Sequence, residues 1–233
     1  MFKKFIYILL LLCSNLIVAQ FGVIKYKVSV NIDIKTAPKE TIGMFESINS
    51  LVQKQEFELK FSDKVSVFDI IPSLKESSNK ETKLYYRIAR VGYTCGTKVY
   101  YEKNANTIYE IHENGIITKD VIGKDFWQIT SETKKIDKYN CIKAFHTINF
   151  LTRNGEKTSR IITAWFAPSL PYSFGPKTYS GLPGLIVELL DKNTTFTATS
   201  IKLSKNDIAI KLPKGKAISK EDYDKKIKQQ MGM

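Results

Sequence analysis

Residues 22–34, GVIKYKVSVNIDI, place Ile24, Tyr26, Val28, Val30, Ile32 and Ile34 on one side and Lys25, Lys27, Ser29, Asn31 and Asp33 on the other. A period of two with one wet face is the mark of an antiparallel strand. The period then changes. Ile42, Phe45, Ile48 and Val52 fall on one helical stripe over 39–53, with Pro38 in the first turn. Strand patterning returns at 55–61, 64–70, 83–91 and 97–103, with a turn at Asn104-Ala105-Asn106. Strands at 107–112 and 116–121 flank Asn114-Gly115, a strong hairpin signal. Further strands are predicted at 126–135, 139–151, 158–167, 185–190 and 194–203, with turns at Asn154-Gly155 and Asp191-Lys192-Asn193. Ser219 with Asp222 three residues on predicts the start of a C-terminal helix.

This pattern predicts one mainly β domain over 20–233. Its sheet is antiparallel, either strongly curved or a partly open barrel, with one early helix and a short C-terminal helix. The apolar concave face of such a sheet must be filled by side chains, covered by a helix, or left as a ligand cavity.

One stretch breaks the rhythm. Residues 168–184 hold Pro168, Pro171, Pro176 and Pro183 together with Gly175, Gly181 and Gly184, interleaved with Tyr172, Phe174 and Tyr179. Proline fixes φ and pushes the residue before it into extended geometry, so this is a long, stiff, aromatic connection. Loops of this length without regular structure are uncommon and are often functional, and closure of one sheet end is the structural alternative. Leu182-Pro183-Gly184-Leu185 fits a type II turn, which would give Gly184 a positive φ and bury Leu182 and Leu185 beside it.

The N-terminus changes the compartment. MFKKFIYILLLLCSNLIVAQ has two lysines, a short apolar run and a small residue at Ala19, which together predict a secretory signal peptide over 1–19. An uncleaved anchor is the rival reading, weakened by the short run and by the polar Ser14-Asn15. Leu12 stands where a lipid-modified cysteine would have a small residue, so Cys13 is expected to carry no lipid. The expected product is periplasmic or secreted and not lipid-anchored. It keeps 34 Lys and Arg against 23 Asp and Glu, a net charge of +11. Export argues against nucleic acid as the partner of that charge. A solvated lysine face explains most of it, and an anionic membrane surface or acidic partner is the sharper reading. Lys211, Lys214, Lys216, Lys220, Lys225, Lys226 and Lys228 concentrate charge in the C-terminal tail.

Cleavage leaves Cys95 and Cys141, an even count in an oxidising compartment, and the parity predicts a disulfide. Such a bond would contribute roughly 4 kcal/mol if its geometry is good. Two free thiols or a metal site are the alternatives. With only His112 and His146, and neither HExxH nor CxxC, no metal or other cofactor is expected. His146 shares a strand face with Ile142, Ala144, Ile148 and Phe150. With Asp137, Ser173 or Ser180 it could form a Ser-His-Asp site, though no GxSxG elbow is present. His112 precedes a hairpin turn and is expected to be exposed. Glu188 interrupts LIVELL, either as the wet position of an edge strand or as a functional carboxylate. No glycine-rich phosphate loop follows a strand and opens a helix.

The residues that break the rhythm also carry a resemblance. Gly181-Leu182-Pro183-Gly184-Leu185-Ile186 is preceded by AWFAPSLPYSFGP (164–176), with its Gly175-Pro176 pair, and by TSETKKIDKYNCIKA (130–144). In these blocks the chain resembles the GLPGLI family, an exported bacterial family named for the hexapeptide. The resemblance implies an envelope protein of Gram-negative bacteria. The family's molecular role is uncharacterised, so it assigns no role to any of these residues. Two functional classes stay open: a binding or carrier module for an apolar ligand or envelope partner, with peripheral membrane contact, and a secreted hydrolase.

Overall fold

In the computed structural model, residues 21–31, 38–72, 79–123, 126–152, 156–206 and 208–230 are described. The expected signal peptide, the predicted strand end at 32–34 and the predicted Asn154-Gly155 turn lie outside them.

Twelve strands form one sheet. They are β1 (Phe21–Val30), β2 (Glu56–Phe61), β3 (Val65–Ile70), β4 (Lys98–Glu102), β5 (Thr107–Ile111), β6 (Ile117–Val121), β7 (Gln128–Ile136), β8 (Tyr139–Leu151), β9 (Lys157–Ala167), β10 (Leu185–Asp191), β11 (Thr194–Ser204) and β12 (Ala217–Ser219). Their order is β12-β6-β5-β4-β3-β2-β1-β11-β10-β9-β8-β7, so β12 and β7 are the edges and the sheet is not closed. Two antiparallel meanders, β1–β6 and β7–β11, are joined where β11 pairs along the whole of β1, from Phe21↔Ser204 to Val30↔Thr194. The parallel pair β12–β6 is the exception to antiparallel order among the described strands, and the tight-hairpin pattern gave no sign of it.

The alternation in β1 places Ile24, Tyr26 and Val28 in the core and leaves Lys25 and Lys27 in water. Phe57, Leu59 and Phe61 of β2, Phe68 of β3, Ile162, Ala164 and Phe166 of β9 and Phe196 of β11 face the same interior. Phe68 stacks flat on Phe57 at 5.2 Å, and Phe196 meets both rings edge-on at 5.5 and 6.0 Å. Such pairs contribute about 1 kcal/mol each beyond the area they bury.

Three helices are described. A short 3-10 turn (Lys39–Thr41) leads into α1 (Ile42–Gln53), which buries Ile48 and Val52, half of the predicted stripe, and packs on β1. The predicted strand at 83–91 is instead a helix, α2 (Lys80–Ile88), which runs on as a π-helical turn over Ala89–Tyr93. The Asn79 side chain accepts from the Glu81 N–H at 2.8 Å and so caps α2, and Tyr85 donates to Glu81 one turn away. The β-branched and aromatic residues of LYYRIARV suggest a strand. Their burial follows a helical period, however: Tyr85, Ile88 and Ala89 turn inward. The last helix, α3 (Lys220–Gln230), starts as the sequence predicts. The Ser219 hydroxyl accepts from Asp222 N–H at 3.0 Å and donates to its carboxylate at 2.7 Å.

Candidate functional site

The unusual connection, residues 168–184, is a hydrogen-bonded plug seated on the core. Its backbone turns on itself: Leu170 N–H donates to Ala167, Tyr172 to Leu170, Phe174 to Tyr172 and Gly181 to Ser173, at 2.7–3.0 Å. The start of β10 is stitched to it, Leu185 N–H to Leu170 at 2.9 Å and Ile186 N–H to Phe174 at 3.0 Å. Side chains bind it as firmly. Phe61 lies between Tyr172 at 4.7 Å and Phe174 at 5.1 Å, and Tyr101 meets Phe174 edge-on at 6.1 Å. Buried Tyr26 donates to the Ile186 carbonyl at 2.6 Å, and burial raises its hydroxyl pKa.

Each glycine of the plug answers to a different constraint. Gly181 holds φ at +95°, where an L side chain is strained. Gly184 does not have a positive φ, so the expected type II turn at Leu182–Leu185 is not formed. Gly184 is needed for closeness instead. A Cβ there would press into the Ala167 carbonyl and reach 3.0 Å from the Phe166 ring. A Cβ on Gly175 would collide with the Tyr179 carbonyl and the Ile186 side chain. Pro176 is buried and Pro183 exposed, while Leu182, Leu185 and Ile186 are buried as the pattern predicts.

At one end the plug is pinned by charge. A single register row crosses the sheet through His146 (β8), Ile162 (β9), Asp191 (β10), Thr194 (β11) and Val30 (β1). Asp191, only 5 % exposed, faces the interior there. Lys177 from the plug ion-pairs with its Oδ2, Tyr179 donates to the same oxygen at 3.2 Å, and Arg160 Nε stands 3.7 Å from Oδ1. Burial alone would raise the Asp191 pKa, but Lys177, Arg160 and the Tyr179 hydrogen bond outweigh it and hold the carboxyl below its usual value. Burial and the Asp191 charge raise the pKa of Tyr179. Beside this lock stands an aromatic wall. Phe126 stacks on His146 at 3.7 Å, and Tyr179 meets Trp127, whose indole N–H donates to the Ser180 carbonyl at 2.9 Å. The predicted turn at Asp191-Lys192-Asn193 places Asp191 at the end of β10, and its phase, two residues after inward Leu189, is the sequence signal of its burial.

The Ser-His-Asp arrangement is not assembled. Asp137 is at the β7–β8 turn, and seven residues of strand, about 23 Å, separate Tyr139 beside it from His146. Ser180 is buried under Trp127. Glu188 lies on an interior strand rather than an edge, where Lys134 pairs with it at 2.6 Å while covering the Trp165 ring at 4.5 Å. His112 is half-buried rather than exposed. It stacks on Tyr223 at 4.2 Å, with Nε2 3.0 Å from the Thr118 hydroxyl, and burial lowers its pKa. The expected Cys95–Cys141 disulfide is not formed, and both cysteines are buried free thiols. Cys95 precedes β4 and Cys141 lies on β8, seven ladder steps away. Each thiol has its own acceptor, the carbonyls of Thr97 and Tyr139. Burial raises both thiol pKa values. Among the described residues no three His, Cys, Asp or Glu side chains converge.

A second feature projects from the lock. β7 runs along β8 only as far as Phe145, and β10 runs along β9 only as far as Ile162. The pairs from Thr147↔Ile161 to Leu151↔Lys157 therefore form a two-stranded arm with no flanking strand among the described residues. Phe150 (44 % exposed) and Ile161 (59 % exposed) lie on its opposite faces, and Ile129 (52 % exposed) lies near its base. Asn149, Phe150, Lys157, Thr158 and Ser159 line an open groove of about 560 Å³. The two strand lengths were legible in the sequence, but the loss of their neighbours was not.

The fold and site define a mainly β chain whose interior is filled by its own connection and whose β8–β9 arm exposes Phe150 and Ile161. Residues 152–188, from the return strand of that arm through the plug to Glu188, match a family described as a protein of unknown function (Porph_ging). No curated protein matches the chain.

Proposed function

We propose that this chain is an exported, non-enzymatic binding module of the bacterial cell envelope, of the GLPGLI type, and that the β8–β9 arm docks it on a protein partner. The observation that carries the reading is the arm itself. An isolated two-stranded ribbon is marginal in water, and among the described residues no strand covers either edge of this one, while Phe150 and Ile161 stay exposed. A partner strand laid along either edge would satisfy the open backbone and cover Phe150 or Ile161. A net charge of +11 on the mature chain opposes self-pairing and favours an acidic partner.

The alternative of carrying an apolar ligand has less support, because Tyr172, Phe174 and Tyr179 occupy the interior it would need. The same packing supports a coiled, partly open barrel. In a flat sheet β4 and β10, five ladder steps apart, would be separated by about 24 Å. Yet Phe174 meets Tyr101 of β4 with its ring and Ile186 of β10 with its carbonyl.

A photo-cross-linking residue placed at Phe150 or Ile161 in the producing bacterium tests the arm. A discrete adduct is expected from at least one of the two positions. Folded protein that yields no adduct from either position would refute the docking role. Mature protein beginning at Gln20 is the expected mark of export.

A further inference from the structure

The nine-residue helix α2 and its π-helical turn have an outward face that the arm does not explain. At about 100° per residue, Lys80, Lys83, Leu84, Arg87 and Val91 fall within roughly a 100° arc. All five are exposed, and Leu84 and Val91 are more than half exposed. The opposite side is anchored, since Tyr85, Ile88 and Ala89 pack on the core and Thr94 donates to Gln55 at 2.6 Å. Of the nearby acidic groups, Glu81 accepts from Tyr85, and Glu113 from the β5–β6 hairpin stands 3.5 Å from Arg87 and 3.8 Å from Arg90. Glu46 of α1 shares a groove with Glu81, off the stripe.

We propose that this face docks the protein on an anionic lipid bilayer. Single exposed apolar residues are ordinary on any surface, but two on one line of a helix, flanked by Lys80, Lys83 and the Glu113-paired Arg87, make an interfacial stripe. Leucine and valine would enter the boundary between headgroups and acyl chains. The lysine and arginine stems would lie along the same boundary, with their charges among the phosphates. The surface is a narrow helix face rather than a groove, which suits a planar bilayer better than a folded partner. Lipid phosphate also complements the surplus of 34 Lys and Arg over 23 Asp and Glu in the mature chain, which supplies long-range attraction.

Co-sedimentation of the mature chain with vesicles tests this. Binding to equimolar phosphatidylglycerol and phosphatidylcholine is expected to exceed binding to phosphatidylcholine alone by about tenfold or more, and to weaken with salt. Leu84→Ser with Val91→Ser should lower the partition about tenfold, as should Lys80→Glu with Lys83→Glu. Lys225→Glu with Lys226→Glu on α3 removes the same net charge but should weaken it several-fold less than the α2 pair, because those lysines lie outside the stripe. All of these positions are exposed, so melting temperatures should stay at the parent value. If a double variant melts lower, Leu84→Ser alone replaces it. Absent or equal binding to the two vesicle types would overturn the proposal. So would loss of binding in the α3 variant with retention in both α2 variants.

Discussion

Gly181 and Gly184 stand three residues apart in one hexapeptide and are glycine for opposite reasons. At Gly181, with φ at +95°, the cost of a side chain is strain. Gly181→Ala should lower stability by about 1 kcal/mol and Gly181→Asn by less, because asparagine tolerates left-handed φ. At Gly184 the obstacle is the Ala167 carbonyl. Gly184→Ala should cost about 1–3 kcal/mol and Gly184→Asn should cost no less than that. Thermal melts of the four variants separate the two mechanisms. Pro183-Gly184 spells a type II turn as readily as it spells close packing. Only the end of β9, remote from the turn's own four residues, decides between them. Asp191 carries a second prediction. Its pKa is depressed in the folded state below the ordinary value of 3.8, so its contribution is complete above that value and is lost as pH falls through the folded pKa. Asp191→Asn, which leaves Lys177 without its buried counter-charge, should cost about 3–5 kcal/mol at neutral pH. The gap between the two melting curves should close only as pH falls below about 4.

Among the elements, those with local causes were legible. Asn114-Gly115 makes its hairpin with Gly115 at φ +79°, and Ser219 caps α3 as written. α2 runs against its composition, which favours strand, because its cap and inward period favour helix. Asn79→Ala should destabilise α2 by about 1 kcal/mol, visible as faster amide exchange through 80–88. The arm was half legible. Its two strands alternate throughout, and nothing in their own sequence records where β7 and β10 stop. Amide exchange should show the boundary, with protection falling between residues 142–146 and 147–151 on β8, and between 162–167 and 157–161 on β9. Strand-long protection in the free protein would mean that the arm is stable without a partner.

For the molecule as a whole, mainly β, mostly antiparallel architecture followed from the alternation. The parity of Cys95 and Cys141 did not indicate a bond, because parity carries no information about which strands lie seven steps apart. The joining of the two meanders was equally invisible in local pattern, since the β1–β11 ladder links residues as distant as Phe21 and Ser204. It makes the halves interdependent. A fragment of residues 21–123 would leave β1 without β11 and the core without its plug, so it should show no cooperative thermal transition, whereas the whole chain should show one. The same ladder sets the order of assembly. β1 leaves the ribosome among the first strands, but its partner follows more than 160 residues later. Synthesis at about 5–20 residues per second imposes a wait of about 10–30 s before the sheet can close on itself. Through that interval the nascent chain lacks the ladder that would make it a compact obstacle. Were the chain exported as proposed, it would stay threadable while a protein-conducting channel drew it across a membrane.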